Sequence, residues 1–303
     1  MTTLNLVLGR LLDGLLYPFR GLPALVGLVL VSLVTAVLML LVFRATSNQP
    51  RLAAVKRRIH ACLFEIRLFN DDLRAIFRAQ LEILRHNLTY FRLSLVPLVF
   101  MIVPFVFGIA HLNAFYGYRG LSAGDEALLT VRFDRDATAG VRESSSRPNA
   151  ALTVPDGLST RGRAIWIPSL QEMTWRLTAG REGDYEAVLT LDGQTFGKRI
   201  RVSDEVVPLA PIRPSRGSFC QIADPEEPVR RGAGIASALG LWCQLLHPAE
   251  APIDAGAPVA SIRVSYPAAS VGAFGFATHW IVAYIVLATV FAFALRNRLG
   301  VVL

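Results

Sequence analysis

The sequence predicts a membrane α-helical protein: three transmembrane helices and a cytoplasmic antiparallel coiled-coil hairpin, with an extracytoplasmic all-β, immunoglobulin-like sandwich domain. Three observations lead there. Uncharged apolar runs cover residues 21–43, 93–115 and 271–295, each close to the roughly 20 residues that a ~30 Å hydrocarbon core asks of a helix. A basic stretch with helical periodicity fills residues 46–92. Residues 120–270 change to short alternating runs broken by Gly, Asp, Asn and Pro, the pattern of strands and turns.

Composition agrees. Of 303 residues 53% are hydrophobic, and mean hydropathy is +0.44. The net charge of +8 belongs mainly to the segments flanking the apolar runs. Such basicity suits anionic lipid head groups or ribosomal RNA as neighbours, and equally suits simple topology setting. Lys56 and Lys198 are the only lysines, so arginine carries nearly all the positive charge, as in a GC-rich bacterial genome.

Residues 1–20 open the chain with Leu4, Leu8, Leu11, Leu12, Leu15 and Leu16 interleaved with Asn5, Arg10, Asp13 and Arg20. This predicts an amphipathic helix lying in the membrane interface, broken by Pro18 and Pro23. A signal peptide competes with this reading, but the apolar run that follows is too long and no small-residue cleavage site closes it. The first span, 21–43, stops at Arg44.

The 46–92 stretch reads as two helices folded back on each other. Leu52, Val55, Ile59, Cys62, Ile66 and Phe69 recur at three- and four-residue steps, and Leu73, Phe77, Leu81, Leu84, Leu88 and Phe91 do the same. Each set forms one apolar seam, and the two seams are expected to face each other. Asn70, Asp71 and Asp72 suit the corner, Ser47 or Asn48 suits the first cap, and Pro50 is tolerated in the first turn. Arg57, Arg58, Arg74 and Arg78 form a basic face. Basic residues this close to spans stay in the cytoplasm, which puts the amino terminus outside and the 296–303 tail, with Arg296 and Arg298, inside. Pro97 and Pro104 should kink or open the second span.

In the extracytoplasmic segment, strands are expected around Ala127–Phe133, Tyr185–Leu191, Phe196–Val202 and Ser261–Tyr266, with Asp192-Gly193 as a hairpin turn. Gly183-Asp184-Tyr185 reads as the edge of the sandwich. Cys220 and Cys243 both fall in this oxidising compartment and could form a disulfide. Cys62 reads as a small core residue.

No enzyme signature is present: no phosphate-binding Gly-rich loop, no His-Glu-x-x-His and no G-x-S-x-G. The glycine-rich stretch 232–240 lacks the strand and lysine of a phosphate site. Neither a metal nor a cofactor is expected, since the three cysteines lack metal-ligand spacing and His60, His86, His111, His247 and His279 are scattered along the chain. The informative polar groups lie in or beside the spans: Ser32 and Thr35 in the first, His111 and Asn113 near the end of the second, Thr278 and His279 in the third. They either bond a neighbouring helix or line a polar groove open to the cytoplasm.

The order of parts resembles the YidC-type membrane insertase superfamily, especially the three-span YidC-like proteins of archaea and their relatives in the endoplasmic reticulum. The likeness rests on the amphipathic first helix, the outside-to-inside first span, the basic cytoplasmic hairpin and the proline-bearing stretch from Arg92 to Pro104. It covers residues 4–115 and, more weakly, 271–303. The resemblance implies an insertase or intramembrane chaperone that helps hydrophobic segments enter the bilayer through a polar groove. Its partners would be membrane lipids, nascent membrane proteins and, through the basic hairpin, the ribosome. The chain departs from that family in its inserted β domain and in having no arginine inside the first span, so a groove here would depend on hydroxyl polarity. The alternative is a non-catalytic cell-envelope scaffold or accessory subunit whose β domain binds an extracytoplasmic protein. Both readings place the chain in the bacterial inner membrane.

Overall fold

The computed structural model describes residues 2–69, 72–134, 147–216, 247–254, 256–273 and 276–301. Helix α1 (Thr2–Leu16) is followed by a 3₁₀ turn (Tyr17–Phe19), α2 (Ala24–Thr46), α3 (Gln49–Leu68) and the long α4 (Leu73–Tyr116). Ten strands come next among the described residues: β1 (Glu126–Phe133), β2 (Ala150–Thr153), β3 (Leu158–Ile167), β4 (Glu172–Ala179), β5 (Gly183–Leu191), β6 (Gln194–Val202), β7 (Ile212–Pro214), β8 (Val259–Val264), β9 (Val271–Ala273) and β10 (Phe276–Thr278). Helix α5 (Trp280–Leu295) closes the order. Helices α2 and α4 are each long and apolar enough to cross a membrane. The chain divides into two compact units, residues 1–27 with 107–280, and residues 28–106 with 281–303.

The first unit is organised by antiparallel sheets. The larger sheet has the order β3-β4-β1-β8-β7, and a three-stranded sheet has the order β2-β5-β6. Strand β1 shows why the pattern works: Ala127, Leu129, Val131 and Phe133 alternate inward, as the two-residue period of a strand requires. They join Met173, Trp175 and Leu177 of β4, Ala187 and Leu189 of β5, Ile200 of β6 and Ile262 of β8 in one apolar core. The expected hairpin is present. Asp192 and Gly193 both take positive φ, 48° and 82°, between β5 and β6, which pair from Gly183↔Val202 to Leu191↔Gln194. That is the turn geometry whose twist matches the flanking strands. β5 is the middle strand of its sheet, but β2 pairs only with Val188–Leu191, so among the described residues Gly183–Tyr185 is paired on the β6 side alone. The polar β3 was not legible in sequence: it is mostly exposed, and its pairing with β4 is interrupted between Arg161 and Ile165, beside Gly162 at φ +79°.

Within the same unit the carboxyl end of α4 is stitched to this domain by backbone hydrogen bonds. Leu209 N–H donates to Ala114 O at 2.7 Å, Arg119 N–H to Pro267 O at 2.8 Å and Ala269 N–H to Gly117 O at 3.2 Å. Gly27 lies so close to Tyr116 that any side chain there would run into the phenol. Asp13 and Arg20 form an ion pair that ties α1 to the turn after it.

The structure corrects two expectations about the helices. The apolar run 271–295 is not one helix: its first residues form the β9–β10 hairpin, and α5 has 16 residues, roughly 24 Å at 1.5 Å per residue. Val271 and Thr278 are β-branched and two phenylalanines lie between them, residue types that favour a strand, and hydropathy alone does not separate the two. Second, the hairpin seam of α4 lies on another face. Pro97 and Pro104 both lie inside α4, which is helical over all its 44 residues.

Candidate functional site

The hairpin is built from its caps inward. Asn48 Oδ1 accepts from Arg51 N–H at 3.2 Å, and Pro50 sits in the first turn of α3. Asp72 Oδ1 accepts from Arg74 N–H at 2.9 Å at the start of α4. On α3 the expected seam holds: Leu52 and Cys62 are buried, Val55, Ile59 and Ile66 are half-buried, and only Phe69, at the cap, is exposed. On the hairpin arm of α4, residues 73–92, the buried or half-buried residues among those described are Ile76, Ala79, Glu82, Ile83, His86 and Tyr90. Leu73, Phe77, Leu81, Leu84, Leu88 and Phe91 are all exposed. Two stripes of equal periodicity compete on this helix, and the one turned inward carries the small Ala79 and the polar Glu82 instead of the bulkier side chains.

Glu82 meets α3 at Cys62. The thiol donates to Glu82 Oε2 over 3.9 Å, and donor atoms of Cys62, Glu65 and Glu82 all lie within 4.8 Å of one another. These three residues could in principle hold a cation. However, burial, reinforced by Glu82 and then Glu65, pushes the thiol pKa up, so the neutral S–H is favoured over the thiolate that a metal needs. The cluster reads as a polar contact within the hairpin. Arg57, Arg58, Arg74 and Arg78 are all exposed, and Arg78 stands 3.6 Å from Glu82. The basic face expected from sequence is therefore available to a partner.

The residues expected to line a groove fall in two different units. Ser32 is 0% exposed, and its hydroxyl has no hydrogen-bond partner. Thr35, one turn away, is half-buried and interacts with the Tyr284 hydroxyl, though outside strict hydrogen-bond geometry. Thr278 ends β10, and His279 lies exposed between β10 and α5, its ring centroid 6.1 Å from that of Trp280. Neither belongs to a span helix, and both fall in the first unit while Ser32 and Thr35 fall in the second. His111 Nδ1 pairs with the carbonyl of Phe107 at 2.9 Å, one turn back in α4. Cys220 and Cys243, with the glycine-rich 232–240 stretch, lie outside the described residues.

Sequence reasoning missed a buried polar cluster in the β domain. Lys198, 1% exposed, forms an ion pair with Glu250 and donates to Ala210 O at 2.6 Å. Glu250 also accepts from Arg199 N–H at 3.0 Å. Burial draws the Lys198 pKa down while Glu250 holds it up. His247 lines a small pocket with Asn113 and Ala210; burial, then Lys198 and Arg263, lower its pKa to about 4. Tyr266 accepts from Arg201 N–H at 3.1 Å, and burial takes its phenol up to about 12. That Lys198 is one of only two lysines was the single sequence signal pointing to it. No protein-family model matches the chain, and no curated protein matches it in sequence.

Proposed function

We propose that the protein is a membrane insertase or intramembrane chaperone of the YidC-like kind, set in a bacterial inner membrane with the hairpin in the cytoplasm. Its β domain is read as an immunoglobulin-like sandwich on the opposite side. The observation that carries this is the state of α4. Leu95, Val96, Leu98, Val99, Phe100, Ile102 and Val103 all remain exposed, on the same helix that carries the basic hairpin arm. Among the described residues this span is little covered by its own chain, and it offers a lateral wall to lipid or to an entering helix. The hairpin above it offers arginines to an acidic tail or a ribosome. No nucleotide or metal is required. The reaction is transfer of a segment, and the barrier lies in desolvating its polar groups.

A second reading, a non-catalytic scaffold, is favoured by Ser32, which is sealed rather than facing an open groove. If α4 is the wall, groove polarity must come from elsewhere than Ser32. The two readings separate by site-specific crosslinking. A photoreactive residue at Val99 should capture nascent membrane proteins during synthesis. Capture of lipid and resident subunits alone, with no nascent chain, favours the scaffold.

A further inference from the structure

We infer that α4 pairs in parallel with α4 of a second copy of this chain, through the apolar stripe opposite α3. From Phe77 to Phe105 the stripe repeats strictly every seven residues. Phe77, Leu84 and Phe91 form one line, Leu81, Leu88 and Leu95 the other, and both run on to Ile102 and Phe105. The cytoplasmic members are between 55% and 67% exposed.

The repeat length identifies the occupant as a helix. An apolar face that only lies on lipid needs a broad apolar arc at the 3.6-residue period. From Phe77 to Leu95, where polar residues flank it, the stripe holds the 3.5-residue period that a supercoiled partner helix requires; beyond Leu95 the exposed apolar arc widens to take in Val96, Val99, Phe100 and Val103. The seam also runs without a change of register from the basic hairpin arm into the apolar half of a helix of 44 residues, roughly 66 Å. A partner covering all of it must itself pass from a polar arm into an apolar span in the same direction. A second α4 does so by construction.

The flanking residues choose the orientation. With Leu81, Leu88 and Leu95 at the a positions, Arg78, Arg85 and Arg92 occupy e, while Gln80, Asn87 and Ser94 occupy g. Antiparallel pairing opposes e with e, arginine against arginine. Parallel pairing opposes g with e, so Gln80 and Asn87 meet Arg85 and Arg92 of the second copy, amide against guanidinium.

The test uses the full-length chain in phosphatidylethanolamine–phosphatidylglycerol vesicles, with Cys62, Cys220 and Cys243 replaced by Ala. Leu81→Cys and Leu88→Cys, both at exposed sites, are oxidised side by side with Thr89→Cys, exposed on the same turn but off the stripe. Self-linked dimers at 81 and at 88, at least fivefold above Thr89→Cys and persisting when the vesicles are diluted with lipid, are expected. Equal dimerisation at Thr89→Cys overturns the pairing, as does its absence at 81 and 88. A disulfide between 81 and 88 in preference to either self-link overturns the parallel orientation.

Discussion

Arg44, at the end of α2, donates from Nη1 to the backbone carbonyl of Leu299 at 3.1 Å, across 255 residues of chain. The last turn is held in place by Gly300 at φ +64° and by the bond from Val301 N–H to Arg296 O at 2.9 Å. Arg44, Arg296 and Arg298 therefore collect at one end of the second unit, which the positive-inside rule assigns to the cytoplasm. A cysteine at Asn297 should then behave like one at Arg57: protected from membrane-impermeant maleimide in intact cells and labelled after permeabilisation. One at Glu182, on the β domain, should be labelled from outside. Labelling of Asn297 in intact cells reverses the orientation.

The corrected hairpin seam makes opposite demands of two leucines. Leu52→Ala, at a site with 0% exposure, should destabilise the hairpin by about 2–5 kcal/mol, the usual cost of emptying a buried leucine. Leu84→Asp, at 67% exposure, should leave α3 and α4 packed. Hydrogen exchange of the α3 amides reads the difference; faster exchange in Leu84→Asp than in Leu52→Ala contradicts the assignment.

How far the sequence carried follows from which signals have one physical solution. The caps at Asn48 and Asp72, the strand alternation of β1 and the Asp192-Gly193 turn are local and unambiguous, and they appear where expected. Two near-equal stripes on α4 do not reveal which faces α3, since the choice depends on a neighbour such as Cys62, 20 residues from Glu82. The 271–278 segment is apolar enough for a span, while its Val271, Thr278 and phenylalanines suit a strand equally well. Ser32 and Thr35 were found by type, but whether a hydroxyl is sealed or open to a groove depends on packing. Lys198 was invisible because Glu250 is distant in sequence.

Removing one partner of that pair should be costly. Glu250→Ala strands a buried Lys198 ammonium and frees Arg199 N–H, so about 3–5 kcal/mol should be lost in thermal unfolding of the chain. Lys198→Met with Glu250→Gln should recover most of it. Equal stability of Glu250→Ala and the parent rules out a structural role for the pair.

His247 supplies a pH signature. Its folded pKa, about 4, lies below the ordinary 6.5, so between these values the unfolded chain binds the extra proton. Stability from this group is complete above pH 6.5 and falls as pH drops towards 4, by at most about 3 kcal/mol. His247→Gln should flatten the profile over that window. An unchanged slope assigns it to other groups.

The basic face separates orientation from docking. Neutralising Arg57, Arg58, Arg74 and Arg78 together leaves Arg44, Arg51 and Arg92 beside the spans. The variant should reach native abundance and topology yet lose activity. The loss should resemble that of the parent at high salt, since exposed charges are screened within about 10 Å at 0.1 M. Full activity at native abundance assigns these arginines to topology alone.

Insertion itself is the most direct measurement. Proteoliposomes holding the purified full-length protein are given a single-span client with a short hydrophilic tail, and protease protection of that tail is followed over time. A rate at least tenfold above protein-free vesicles, reduced by the quadruple arginine variant, is the expected result. Equal rates with and without the protein contradict the insertase reading.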